Sequence, residues 1–178
     1  MELEELLATQ TRQAPTLSDR SQLDVVMIHA LMDSLFTIFS TMVGLRIRPG
    51  IPEPKTDEAA QGVASSLVGM NAQGVHGSVA LSLTLPAIRA ISQRMMHHEI
   101  DVADAEAADM AGELVNMLVG GVKRIMAEQG FDFDMQTPTL LLGEGHEIAH
   151  RCAGQTVSLP IEIDGAEDAI FYIELNFV

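Results

Sequence analysis

A chain of 178 residues has the size of one domain, and 47% hydrophobic against 20% charged residues is enough apolar surface for a sizeable core. With six phenylalanines, one tyrosine and no tryptophan, that core has to be aliphatic and rich in methionine. The formal net charge of −15 repels nucleic-acid phosphates and anionic lipid heads, so it argues against both as partners; it either serves solubility or marks a docking surface for a partner with a basic rim.

No stretch reads as long and apolar enough to span a bilayer. The most apolar, Val25–Val43, is broken by His29, Asp33 and several hydroxyls and is expected to be a buried amphipathic helix, without membrane insertion. The start Met1-Glu2-Leu3-Glu4-Glu5 lacks the basic-then-apolar layout of a signal peptide, and a lone Cys152 allows no internal disulfide. A cytoplasmic location is the expectation.

In chain order, residues 1–16 form an acidic N-terminal arm, with room for a short helix over 2–9 ended by Pro15, and residues 17–178 form the domain. Ser18 or Ser21 can cap a helix on which Leu23, Met27, Ala30, Leu31, Phe36, Ile38, Phe39 and Met42 recur at helical spacing, with Gly44 just past its end. Residues 45–48 alternate like a short strand, and Pro49, Gly50, Pro52 and Pro54 make a stiff loop after it. The segments 63–70 and 75–85 read as a β-hairpin joined by Asn71-Ala72-Gln73-Gly74, with Val79, Leu81, Leu83 and Leu85 on its one buried face. Pro86 opens a helix over 86–98. Asp101 or Asp104 starts a longer helix that runs to about Gln129, ahead of Gly130. Strands follow near 132–142, 156–163 and 169–177, with a turn at Asp164-Gly165. The order predicts an α+β domain, a mostly antiparallel sheet of about six strands with long helices packed on one face.

The helix over 104–129 carries the chemistry. Ala111, Val115, Leu118, Val122 and Ile125 form one apolar stripe, while Asp109, Glu113, Asn116, Gly120 and Lys123 step along another face. At 3.6 residues per turn, positions 113 and 115 differ by about 200°, so the polar ridge points away from the core, and Glu113 and Asn116 are side-by-side neighbours. Any surface helix shows such a polar stripe. Two features go beyond it. Asparagine is a mediocre residue inside helices, and Gly120 and Gly121 in mid-helix cost about 1 kcal/mol each relative to alanine. Glycine there leaves the helix surface bare, so another chain or element can come close beside Asn116.

The pattern Asp109-x-x-x-Glu113-x-x-Asn116, embedded in Gly112-Glu113-Leu114-Val115-Asn116-Met117 and followed by Gly120 and then by Thr137-Pro138-Thr139, resembles the signature of the CheX/CheC/FliY chemotaxis phosphatases. The hairpin segment 74–85, the run Leu159-Pro160-Ile161 and the order of elements are similar to the CheX branch, over about residues 22–178. One such helix is present, as in CheX-like proteins, whereas the CheC type usually carries two. The resemblance implies a CheC-like fold and a phosphatase that hydrolyses the aspartyl-phosphate of a CheY-like response regulator. Its catalytic residues would be Glu113 and Asn116, with Asp109, Gly120 and Pro138 supporting the motif or docking. A carboxamide suits the orienting of an attacking water, and a carboxylate suits a cation on the partner. It further implies a homodimer and no cofactor of its own, magnesium belonging to the phosphorylated partner. The alternative is a non-catalytic signalling adaptor or a flagellar-switch-like binding module of the same fold. The acidic arm has no counterpart in the family pattern, and the 143–154 connection is longer than usual for it.

Other strings compete for attention. His146-Glu147-Ile148-Ala149-His150 matches H-E-x-x-H, a zinc-protease motif that requires both histidines on one face of a helix. Leu142-Gly143-Glu144-Gly145 precedes it, and these glycines oppose helix entry. In an extended segment the two histidines stand about 13 Å apart. A solvated loop or strand without metal is expected. His97-His98 reads as a helix end, where cationic character suits the dipole. Cys152 has no arginine after it at phosphatase-loop spacing. Met27, Met32, Met95, Met96, Met110, Met117 and Met126 can offer an adaptable surface, with core filling the simpler role for most.

Overall fold

The computed structural model describes residues 20–72 and 74–178, with side chains from Val25 onward. The expected arm 1–16, the cap at Ser18 and the side chains of Ser21 and Leu23 lie outside the described residues. Helix α1 runs Arg20–Ile38 and continues into a π-helical turn, Phe39–Val43. Thr37 Oγ1 donates to Asp33 O at 2.8 Å and Thr41 Oγ1 to Thr37 O at 2.6 Å, the hydroxyl back-bonding that loosens a helix end. Gly44 closes it at φ 71, the left-handed conformation that glycine adopts without strain.

Strands β1 (Ile47–Pro49) and β2 (Glu53–Lys55) follow, then β3 (Ala64–Ala72) and β4 (Val75–Leu83), then α2 (Leu85–Met95) and α3 (Ala105–Glu128). Strands β5 (Asp134–Met135), β6 (Thr139–Leu142), β7 (Thr156–Ile163) and β8 (Ile170–Phe177) complete the chain. They form one antiparallel sheet in the order β1-β7-β8-β4-β3-β5, with β2 also on β7 and β6 also on β3. The α+β architecture is the expected one, with eight strands instead of six. The proline-rich loop contains β2, whose Pro54 is tolerated because β2 lies at the sheet margin. The segment 132–142 divides into β5 and β6. Leu85 belongs to α2, which Thr84 caps through Ala87 N, and α2 ends at Met95 rather than at residue 98. Asp104, not Asp101, caps α3 by accepting from Glu106 N and Ala107 N.

Val79, Leu81 and Leu83 face the helices together with Leu175, Ile173 and Phe171 of β8, opposite them in register. Helix α3 lies on β3, β4 and β6, and α1 packs beside it. By length and a mean hydropathy of 1.6, Val25–Val43 is apolar enough to cross a membrane, contrary to the sequence expectation, because hydroxyls barely lower a hydropathy average. In the fold Met27, Ala30, Leu31, Leu35, Ile38, Phe39 and Val43 enter the core.

The hairpin has two buried faces, not one. Ser65, Ser78 and Ser82, with Ser158, Glu174 and Asn176, are buried on the side away from the helices. Segments 56–62 and 143–154 meet over that side. Ala60 N bonds His146 O at 2.9 Å, Ile148 N bonds Glu58 O at 2.7 Å, and Ile148 itself is buried.

Candidate functional site

Asp109, Glu113, Asn116 and Gly120 are exposed on α3, while Ala111, Val115, Leu118 and Val122 are buried on its other side and Ile125 is half-buried, as the 3.6-residue period requires. Lys123, the last member of the ridge, pairs with Asp132 at 3.7 Å. Among the described residues no ion pair involves Glu113.

Strand β6 turns this helix face into a concave site. Its pairing with β3 lays it alongside α3. A depression of about 330 Å³ results, lined by Asp109, Gly112, Glu113, Asn116, Pro138 and Leu140. The fold thus brings Pro138, distant in sequence, to the carboxylate and carboxamide. Gly120 lies outside the lining, and a Cβ built on it meets nothing within 4 Å. The neighbouring glycine does something different: Gly121 makes room for Ser34 of α1. Gly112 and Leu140 are site residues that sequence reasoning left without a role. Nothing in the sequence singles out Leu140 from the run Leu140-Leu141-Leu142; its exposure is visible only in the fold.

Chemically the depression offers two carboxylates, one carboxamide and no cation among its lining residues. It favours a cationic group on whatever docks there. The carboxamide can both donate to and accept from a water molecule without repelling an anion.

The H-E-x-x-H string occupies the covering loop on the opposite side of the sheet, not a helix. Its histidines are not solvated as expected. His146 places Nδ1 2.6 Å from Gly143 O and Nε2 2.7 Å from Ser65 Oγ. His150 places Nδ1 2.7 Å from Ser78 Oγ and Nε2 3.1 Å from Glu174 Oε2. Lys55 Nζ holds the other oxygen of Glu174 at 2.8 Å. Every ring nitrogen has a partner because the loop has to satisfy the buried serines and the carboxylate beneath it. Ser78, His150 and Glu174 give a hydroxyl–imidazole–carboxylate sequence, yet Ser78 lies mid-strand between β3 and β8, pairing with Gly69 and Asn176. Its backbone belongs to the ladder and cannot serve as an oxyanion hole. Among the described residues no group of three or more His, Cys, Asp or Glu is placed to hold a metal ion.

His97 and His98 lie past the end of α2, His97 at φ 60, and His98 Nε2 meets Glu106 Oε1 at 2.9 Å. Cys152 is half-buried and unpaired in a disulfide. Of the methionines, Met27, Met110 and Met126 are buried, Met32, Met95 and Met117 pack against the core, and Met96 is exposed.

A family model described as "Chemotaxis phosphatase CheX" matches residues 64–162. Among solved structures the chain is similar to a CheC-like superfamily protein from Shewanella sp. PV-4, at 34% identity and a TM-score of 0.78 over 86% of this chain and 98% of that one. It is similar to the chemotaxis protein CheX from Vibrio vulnificus, at 36% identity and a TM-score of 0.76 over 85% of this chain and 99% of that one. The fold is shared with CheX in a CheX–CheY–BeF3–Mg complex from Borrelia burgdorferi, at 20% identity and a TM-score of 0.67 over 85% of this chain and 97% of that one. No curated protein matches the chain.

Proposed function

The chain belongs to the CheX family of chemotaxis phosphatases, and from that premise we propose that it accelerates hydrolysis of the aspartyl-phosphate of a CheY-like response regulator at the depression between α3 and β6. The observation that carries the proposal is the grouping of Glu113, Asn116 and Pro138 in one exposed concavity. An aspartyl-phosphate is a reactive acyl phosphate, so the helper protein need supply no nucleophile. Water attacks phosphorus in line with the departing carboxylate, and the remaining work is positioning and charge stabilisation. Asn116 orients that water: its carbonyl oxygen accepts from the water, and its amide carries no charge to repel the phosphoryl oxygens. Glu113, a full negative charge, engages a cation on the regulator instead of the phosphoryl group. Asp109 belongs to the docking rim, and the open surface at Gly120 gives the regulator's loop room. Magnesium comes with the phosphorylated partner, and the protein works in the cytoplasm without a metal of its own.

The test is a pair of substitutions assayed against phosphorylated regulators, following loss of the phosphoryl group. Asn116→Ala should lower the accelerated rate about 10²-fold or more while binding to a beryllofluoride-loaded regulator stays nearly intact. Glu113→Ala should lose activity and weaken that binding as well. Full activity in Asn116→Ala would refute the water-positioning role, and binding without any acceleration by the wild-type protein would establish the adaptor reading.

A further inference from the structure

We infer that Leu140 is a docking residue of this site, an apolar wall that the regulator must cover, and that Gly112 is the bare seat which positions it; the inference rests on the phosphatase reading above. The argument comes from both sides of the leucine. Strand β6 pairs Leu140 with Ser66, which directs its side chain to the helical face of the sheet. There it meets α3 at the one lining position without a side chain: a Cβ on Gly112 would stand 2.9 Å from Leu140 Cδ2. On the other side, Leu140 is 42% exposed and lines the depression with Glu113, Asn116 and Pro138.

An apolar wall beside a carboxylate and a carboxamide does nothing for a water molecule or a phosphoryl group. It contributes only when an apolar group of a docked partner removes it from solvent. The matching surface is therefore a response regulator with an apolar side chain at the rim of its phosphorylated aspartate, next to the cation that Glu113 engages. The seat is specific in its physics. The atom that a methyl on Gly112 would displace is the free end of an exposed side chain, so the fold gives way cheaply and the displacement is taken up in the depression. A substitution there damages docking without damaging stability.

The experiment measures kcat and KM for a phosphorylated regulator, with urea unfolding in parallel, for Leu140→Ala, Leu140→Met, Gly112→Ala and the Gly112→Ala/Leu140→Ala double variant. Leu140→Ala should raise KM about tenfold with kcat nearly unchanged, and Leu140→Met should keep the wild-type KM. Gly112→Ala should raise KM at least as much while its unfolding midpoint is no lower than wild type, since the helix-propensity gain of alanine over glycine offsets the displacement of Leu140. The double variant should return to the KM of Leu140→Ala alone, because the new methyl then has nothing to displace. An unchanged KM in Leu140→Ala overturns the docking role. Multiplying effects in the double variant, or a Gly112→Ala protein that does not fold, overturn the seat. Should the wild-type protein accelerate no regulator, the phosphatase reading falls by itself. The wall is then judged on affinity for the beryllofluoride-loaded regulator, where equal binding by wild type and Leu140→Ala refutes it.

Discussion

Gly120 and Gly121 are adjacent in α3 and should respond to alanine with opposite signs. A Cβ on Gly120 meets nothing within 4 Å. Gly120→Ala therefore keeps the full helix-propensity gain of about 1 kcal/mol. A Cβ on Gly121 would overlap the hydroxyl of Ser34 and lie 3.0 Å from Ser34 Cβ and 3.7 Å from its Cα. Rotating the hydroxyl relieves the first contact but not the second, since the Cβ is fixed to the backbone of α1. The two helices have to part, and overpacking of this kind costs about 1–3 kcal/mol. Against a propensity gain of about 1 kcal/mol, the net is a loss of about 1 kcal/mol. The two variants should thus differ by about 2 kcal/mol, which at a urea slope of about 2 kcal/mol/M separates their midpoints by about 1 M. Equilibrium urea unfolding with unchanged slopes measures this directly. If Gly121→Ala is as stable as Gly120→Ala, the close crossing of α1 and α3 at Ser34 is wrong. Activity adds a second reading: under the proposed function Gly120→Ala should be the more stable protein and the weaker phosphatase, because its methyl would enter the space proposed for the regulator's loop.

Three further outcomes follow from other parts of the molecule. Lys55→Met removes the cation from the fully buried carboxylate of Glu174 and should cost about 3–5 kcal/mol in urea unfolding; adding Glu174→Gln should recover much of the loss, and an unchanged midpoint in the single variant would refute the pairing. Elemental analysis should find no stoichiometric zinc and chelation should leave the melting temperature unchanged, since His146 and His150 spend their ring nitrogens on Gly143, Ser65, Ser78 and Glu174; one equivalent of zinc lost in His146→Ala would overturn this. Light scattering at high micromolar concentration should give twice the chain mass of 19.2 kDa, with a symmetric copy covering a sheet edge; a monomer alone would refute the dimer.

Legibility in the sequence follows physical scale. The alternation of Val79, Leu81 and Leu83 suffices to place β4, and the long apolar stripe suffices to place α3, because each records many residues packed on one surface. Strand β2 is three residues long and contributes only marginal pairing, so no periodicity announces it, and the two-residue β5 is legible only as part of one continuous strand over 132–142. The second buried face was hidden for a related reason. Ser65, Ser78, Ala80 and Ser82 are small residues that look like a solvent-facing side, and only the tertiary closure of 56–62 with 143–154 makes them interior. That closure also gives the H-E-x-x-H histidines their work, which is to hydrogen-bond the buried polar layer of Ser65, Ser78 and Glu174.

The site divides along the same line. Glu113 and Asn116 are neighbours by helix geometry alone, so their spacing is readable without a fold. Pro138 is not readable in that way. It reaches Asn116 only because α3 packs on β3 while β6 pairs with the same strand, Leu140 opposite Ser66. The helix and the edge strand therefore share one support, and the distance across the depression is set by what fits between them. At Gly112 that is a bare backbone against the end of Leu140. A polar ridge on a helix is an ordinary convex surface, and nothing in its residues distinguishes it from solvent-facing decoration. The ridge acquires a wall only where β6 rises beside it, and under the proposed function that wall is what lets the site hold a partner's reacting group in one orientation.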